Sequence, residues 1–169
     1  MECPYWVIEG SLAGSCAPRS ENDVDSWYRF GIRAVVSLIE DWEFDELGFP
    51  KPRYIDALRI RGMELLHVPT RDGYAPDVDT LMVVLRWING RISSGRPVLV
   101  HCNAGVGRSP TVLMSYLILY RGFSFREAFS MLQSVNPEVS LSYQQIKVLE
   151  EVEALSRDQQ YYSTPSKRR

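Results

Sequence analysis

Residues Val98–Leu113, VLVHCNAGVGRSPTVL, constrain the fold more than any other stretch of the chain. An apolar run ends in His101-Cys102, passes through Asn103, Ala104, Gly105, Val106 and Gly107, and turns apolar again after Arg108-Ser109-Pro110. A short β-branched run bounded by breakers fits a buried strand. Proline suits the first turn of a helix, because the N–H it lacks would have no intrahelical partner there. Strand, tight turn and helix are therefore expected in succession, with the turn at the carboxyl end of the strand. Two readings fit that turn. It is a close connection holding an ordinary buried thiol, or it is a cradle for an anion that Cys102 attacks.

The remaining sequence points to one α/β domain. With 169 residues, 45% of them hydrophobic and 24% charged, the chain has enough apolar material for one continuous core. A formal net charge of -2 argues against a broad basic face for nucleic acid, while leaving room for a local anion site. The opening MECPYWVIEG has no basic stretch leading into an apolar core, and no apolar run approaches membrane-spanning length. A cytoplasmic protein with no membrane contact is expected. Cys3, Cys16 and Cys102 are too scattered for a disulfide framework or paired metal-ligand spacing.

Tyr5–Ile8 reads as a short strand, and Ser20 with Asp23 opens a helix that Gly31 closes. Ala34–Ile39 suits a buried strand, whereas EDWEFDELGFPKP, from Glu40 to Pro52, reads as irregular. A helix from about Pro52 to Gly62 and a strand at Glu64–Val68 follow. Pro69–Pro76 is a loop, and Asp77 and Asp79 are acids at the start of a long helix that reaches about Ser94. Beyond Pro110 the chain reads as all helical, with a capping box at Ser124 and Glu127 and a last helix from Ser142 to about Leu155. The expected fold is α/β: a central, mostly parallel sheet flanked by helices, with a helical C-terminal half. Residues 1–156 are expected to form one domain and 157–169 a polar, disordered tail. Ligands of such sheets sit at the carboxyl ends of strands, which both His101 and the Pro69–Pro76 loop leave.

As chemistry, the turn makes sense around a tetrahedral oxyanion. Asn103, Ala104, Gly105, Val106 and Gly107 would turn their amides inward, a crowded arrangement that the two glycines relieve. The helix that follows aims its positive end at the same point. Arg108 offers a planar fork to two equatorial phosphoryl oxygens. The same groups stabilise a thiolate, which makes Cys102 the expected nucleophile. The Ser109 hydroxyl lies where it can donate to the sulfur as a covalent intermediate breaks down, and His101 orders the loop. A departing oxygen also needs a proton. Asp72, in a Gly-containing loop at a strand end, is the best acid. With His67 and His101 as the chain's two histidines, neither a metal cluster nor a cofactor is expected, and charge neutralisation falls to Arg108 and the amides.

His101-Cys102-x5-Arg108-Ser109 resembles the signature of the cysteine-dependent protein tyrosine phosphatases. Asp72 in HVPTRDG, the EDWE segment and Ser142-Tyr143-Gln144-Gln145 make the chain similar to the small dual-specificity members, the compact archaeal ones in particular, from Tyr5 to Leu155. The resemblance implies metal-independent hydrolysis of phosphotyrosine, and of phosphoserine or phosphothreonine, in proteins through a cysteinyl phosphate. By matching position it makes Cys102 the nucleophile, Arg108 the phosphate ligand and Asp72 the acid, with Gln145 placing water. Phosphorylated proteins are the implied partners, and phosphate and vanadate the active-site anions. Departures are visible: Arg71 precedes the acid where proline is usual, and Asn136-Pro137-Glu138 stands where Arg-Pro-Gly is common. No insertion resembles the loop that deepens the pocket of tyrosine-specific relatives, which implies a shallow pocket and mixed specificity. The phosphate loop also lacks the lysines of phosphoinositide phosphatases.

Other readings stay open at this level. RNA 5′-triphosphatase activity uses the same loop in some relatives, but the chain's acidity opposes it. A non-catalytic phosphoprotein-binding module would need neither Cys102 nor Asp72. Glu40 and Glu43 fit a solvated acidic loop as well as a group that orients Arg108. Trp42 fits a hydrophobic anchor better than a platform for an aryl ring, and His67 a strand histidine with a satisfied hydrogen bond. Cys3 and Cys16 read as unreactive thiols.

Overall fold

Alternation along the strands decides the architecture, because successive side chains of a strand point to opposite faces. In the computed structural model, which describes residues 1–163, Val98, Val100 and Cys102 join one hydrophobic cluster while Leu99 joins another. Ala34 and Val36 likewise separate from Val35, and Leu12 from Ala13. A sheet apolar on both faces needs helices on both.

The strands are β1 (Tyr5–Ile8), β2 (Leu12–Ser15), β3 (Ala34–Ser37), β4 (Glu64–His67) and β5 (Val98–His101), in the order β1-β2-β5-β3-β4. β2, β5, β3 and β4 run parallel, and β1 pairs antiparallel with β2 at the edge. The helices are α1 (Glu21–Phe30), α2 (Asp41–Glu46), α3 (Lys51–Ile60), α4 (Val78–Ser93), α5 (Arg108–Arg121), α6 (Phe125–Val135) and α7 (Tyr143–Ser163). Val24, Trp27, Phe44, Tyr54 and Leu58 bring α1, α2 and α3 onto one face. Leu81, Leu85, Val112, Leu117, Leu132 and Leu149 bring α4 to α7 onto the other. The mostly parallel sheet flanked by helices agrees with the sequence reading.

Three elements differ from that reading. β2, LAGS, lacks the β-branched signature of a strand. It is a strand because Gly14 lets the Tyr5 ring lie where a Cβ would sit, 2.5 Å from the ring's nearest atoms. The segment read as irregular contains α2, a helix too short and too charged to show apolar periodicity, and Glu40 and Glu43 close its capping box. α7 runs past Leu155 to Ser163. Glutamines are good helix formers, and Glu153 pairs with Arg157 one turn on at 2.6 Å. The expected tail from 157 is thus helical to Ser163, and its remaining residues, 164–169, lie outside those described.

Candidate active site

β5 delivers His101 and Cys102 to the carboxyl edge of the sheet, between β2 and β3. The turn that follows is fastened from outside. The Asn103 carbonyl accepts from Ala17 N–H (2.8 Å), the Val106 carbonyl from Ser140 N–H (2.8 Å) and the Gly107 carbonyl from Thr111 N–H (3.0 Å). The Gly105 carbonyl accepts from Asn136 Nδ2 at 2.9 Å. With these carbonyls held, the amides of residues 103–107 donate to no group among the described residues, and all five residues line the hollow of the loop. The two glycines serve different needs. Gly105 takes a φ of +78°, where a side chain is strained. Gly107 is N-cap to α5 with a φ of -129°, and a Cβ there would come within 3.0 Å of the Gln145 amide.

Within this loop the Cys102 sulfur lies 3.2 Å from Ser109 Oγ, and both residues are buried. Behind it, His101 is fully buried against Trp27 and Tyr54. A carbonyl only accepts, so the 2.9 Å contact with the Cys102 carbonyl makes His101 Nδ1 the donor. Nε2 then accepts from the Tyr54 hydroxyl, also at 2.9 Å. Burial lowers the His101 pKa to about 4. A neutral imidazole in a fixed tautomer therefore anchors the loop's first carbonyl.

Arg108 is buried and bidentate to Glu43, with Nη1 and Nη2 each 2.8 Å from a carboxylate oxygen, and Nη1 also donates to the Thr70 carbonyl at 2.8 Å. Glu43 accepts from Asn103 Nδ2 at 3.3 Å as well. Burial pushes the Glu43 carboxyl up, but the hydrogen bonds from Arg108 and from the backbone outweigh it and hold the pKa below its ordinary value. The clamp leaves Arg108 Nε over: it is buried, has no hydrogen-bond partner among the described residues and lies 3.8 Å from Asp72 Oδ1. Glu43 orients the guanidinium, and the solvated-loop reading of this residue does not hold.

The Pro69–Pro76 loop, which carries Asp72, is braced at its base and open at its tip. Thr70 N–H donates to the Leu38 carbonyl at 2.9 Å, and Ser142 Oγ donates to the Gly73 carbonyl at 2.5 Å. Gln145 Nε2 donates to the Tyr74 carbonyl at 3.1 Å, while its Oε1 accepts from Ser142 N–H at 2.9 Å. Ser142 Oγ in turn accepts from Gln145 N–H. Ser142 and Gln145 thus form the capping box of α7, and the Gln145 amide is engaged at both ends while it lies against Gly107 of the loop. The Asp72 side chain between these braces is 87% exposed.

A cavity of about 310 Å³ gathers Asp72, Cys102, the loop from Asn103 to Gly107 and Arg108, with Trp42, Glu43 and Glu46 at its rim. Trp42 is 54% exposed and donates from Nε1 to Glu40 at 2.8 Å. Asp77 caps α4 and Asp79 lies in its first turn, both away from the cavity lining, and His67 Nε2 donates to the Ile39 carbonyl at 2.7 Å. Sequence reasoning missed Asn136, Tyr54 and Thr70, whose contacts with the loop and Arg108 span 31 to 47 residues of chain. The Ser-x-x-Gln spacing of Ser142 and Gln145 was the signal for their capping box.

The catalytic-domain model of the dual specificity phosphatases matches residues 27–154. The chain belongs to this family. Over 134 residues it is 34% identical to the phosphatidylglycerophosphate phosphatase PTPMT2 of Arabidopsis thaliana, covering 79% of this chain and 56% of that protein. Over 145 residues it is 30% identical to the dual specificity protein phosphatase Mpk3 of Drosophila melanogaster, covering 84% of this chain and 32% of the relative. It thus spans about half or less of the length of these curated relatives. The solved structure of Tk-PTP in its active form is 37% identical, with a TM-score of 0.79, and the match covers 89% of this chain and 96% of that one. PTPMT1, 22% identical with a TM-score of 0.81 over 94% of this chain and 99% of that one, shares the fold of this dual specificity phosphatase domain.

Proposed function

We propose that the chain hydrolyses phosphomonoesters by transferring the phosphoryl group to Cys102 and then to water, with phosphotyrosine in proteins as preferred substrate and phosphoserine and phosphothreonine accepted more slowly. The observation that carries this reading is the partnerless Nε of Arg108, a buried cationic donor held in place beside the loop's amides and a cysteine sulfur. A phosphoryl oxygen supplies the missing partner, and the amides take the others. Cys102 attacks phosphorus as the bond to the leaving oxygen breaks, and Asp72 gives that oxygen its proton. In the second step Asp72 takes a proton from the attacking water, and Ser109 donates to the departing sulfur. Arg108 and the amides neutralise charge throughout, so the mechanism calls for no metal.

The rim supports an aryl phosphoester. Trp42 offers an exposed ring fixed by Glu40, while the exposed Glu46 carboxylate beside it disfavours substrates carrying further negative charge. A second reading has one observation behind it: PTPMT2 bears the name of a phosphatidylglycerophosphate phosphatase. A lipid phosphomonoester is therefore the competing substrate.

The test is phosphate release from matched phosphotyrosine, phosphoserine and phosphothreonine peptides and from short-chain phosphatidylglycerophosphate, with chelator present and Cys102→Ser as control. Fastest release from the phosphotyrosine peptide, abolished in the variant, is expected. Release from the lipid alone would replace the substrate class, and peptide binding without release would make the chain a phosphoprotein-binding module. Asp72→Asn is expected to slow phenyl-type esters far more than nitrophenyl-type ones, whose leaving group needs no proton; equal losses would remove Asp72 from the acid role.

A further inference from the structure

Sequence spacing pairs neither Cys3 nor Cys16 with anything, yet the fold brings them together. The Cys16 N–H donates to Cys3 Sγ at 3.1 Å across thirteen residues of chain. Both residues are free thiols of intermediate burial, and both line a second cavity, of about 170 Å³, that Cys102 does not reach. Their environments divide the labour of a dithiol. The Cys16 thiol, ahead of the Cys16 amide and Ser15, lowers the Cys3 pKa against the opposing effect of burial. Cys16 moves the other way, raised by Cys3 and by burial. Cys3 is the thiolate of the pair and Cys16 keeps its proton.

The pair also adjoins the phosphate loop. Cys16 N and Ser15 O are each 3.3 Å from where a Cβ on Gly105 would sit, and Ala17, next in the chain, holds the Asn103 carbonyl. The cavity is thus a second thiol site on the outer side of the cradle.

We propose that Cys3 and Cys16 are a modification site at which a hydroperoxide forms an internal disulfide, independently of Cys102. The Cys3 thiolate attacks the terminal peroxide oxygen, the O–O bond breaks, and the alkoxide leaves (hydroxide when the oxidant is hydrogen peroxide), so that Cys3 becomes a sulfenic acid. The Cys16 sulfur then attacks the Cys3 sulfur, hydroxide departs, and the Cys16 thiol proton converts hydroxide to water. Two thiols are oxidised and one hydroperoxide is reduced.

The test uses the full chain carrying Cys102→Ser, so that the nucleophile of the first site takes no part. After hydrogen peroxide, alkylation and trypsin, both cysteines fall in one peptide, since Arg19 is the first basic residue in the chain. The expected product is an unalkylated Met1–Arg19 peptide lighter than the dithiol by two hydrogens, which a thiol reductant returns to the doubly alkylated form. With Cys16→Ser added, Cys3 is expected to gain oxygen instead. A peptide that stays doubly alkylated at a peroxide dose that oxidises Cys102 in the unsubstituted protein would overturn the proposal. So would oxygen added to both cysteines without a disulfide.

Discussion

Position 43 shows what a single residue settles in this site. Arg108 is always charged and buried, and Glu43 gives it both a counter-charge and a direction. Glu43→Gln keeps the shape and one acceptor but removes the charge. The variant is expected to lose about 1.5–3 kcal/mol of unfolding free energy, the range for hydrogen bonds to charged groups, and to bind phosphate more weakly. Urea denaturation and phosphate inhibition measured together check this, and a stability loss with unchanged phosphate affinity would make Glu43 purely structural. The depressed carboxyl pKa fixes the pH dependence. The contribution is fully present above the ordinary value of 4.5 and disappears as pH falls through the lower folded value. Cys102 and Arg108 were legible in the sequence because six residues of chain hold them in register. Glu43 was legible only as one of two readings, because 65 residues separate it from Arg108 and an acid in a charged stretch carries no mark of burial.

Elements decide which of these groups stay neutral. β5 carries His101 into a space closed by Trp27 of α1 and Tyr54 of α3, where the ring has no exposed surface and bonds only to a hydroxyl and a carbonyl among the described residues. Burial brings its folded pKa to about 4 from an ordinary 6.5. The unfolded chain therefore binds more protons between those values, and stability falls as pH drops through that window. The loss is on the order of 3 kcal/mol from pH 6.5 to 4. Urea unfolding at a series of pH values should show that limb, and His101→Gln should flatten it. An unchanged limb in the variant would move its origin to another group. Strongly patterned elements were readable: β3, β4, β5, the long α4 and the capped α6 agree with the sequence to within a few residues. β2 and α2 were missed because neither owes its form to local propensity. One rests on a tyrosine ring over Gly14, the other on the buried Glu43 and Phe44, of which Glu43 binds Arg108.

For the whole molecule, two cores flank one sheet, and they do different work. The smaller one seats Tyr54 and Phe44, and so sets the positions of His101 and α2. The larger one is built around α5, whose residues from Arg108 to Ile118 are all buried, and it fixes the direction in which that helix meets the phosphate loop. The mostly parallel sheet followed from the strand and helix order of the sequence, but the reach of α7 did not, since a polar helix beyond the core looks like a tail in composition alone. α7 serves both the loop and the core: Gln145 braces the Pro69–Pro76 loop at the helix start, and Leu149 and Val152 pack in the core one and two turns later. Leu149→Ala should separate them. Removing a fully buried leucine costs about 2–5 kcal/mol through lost transfer free energy and the cavity left behind. Gln145, held by its own capping box, stays in place. A lower Tm with KM and kcat unchanged well below it is the expected outcome. A raised KM at that temperature would instead show that core packing, and not the capping box, positions the Pro69–Pro76 loop.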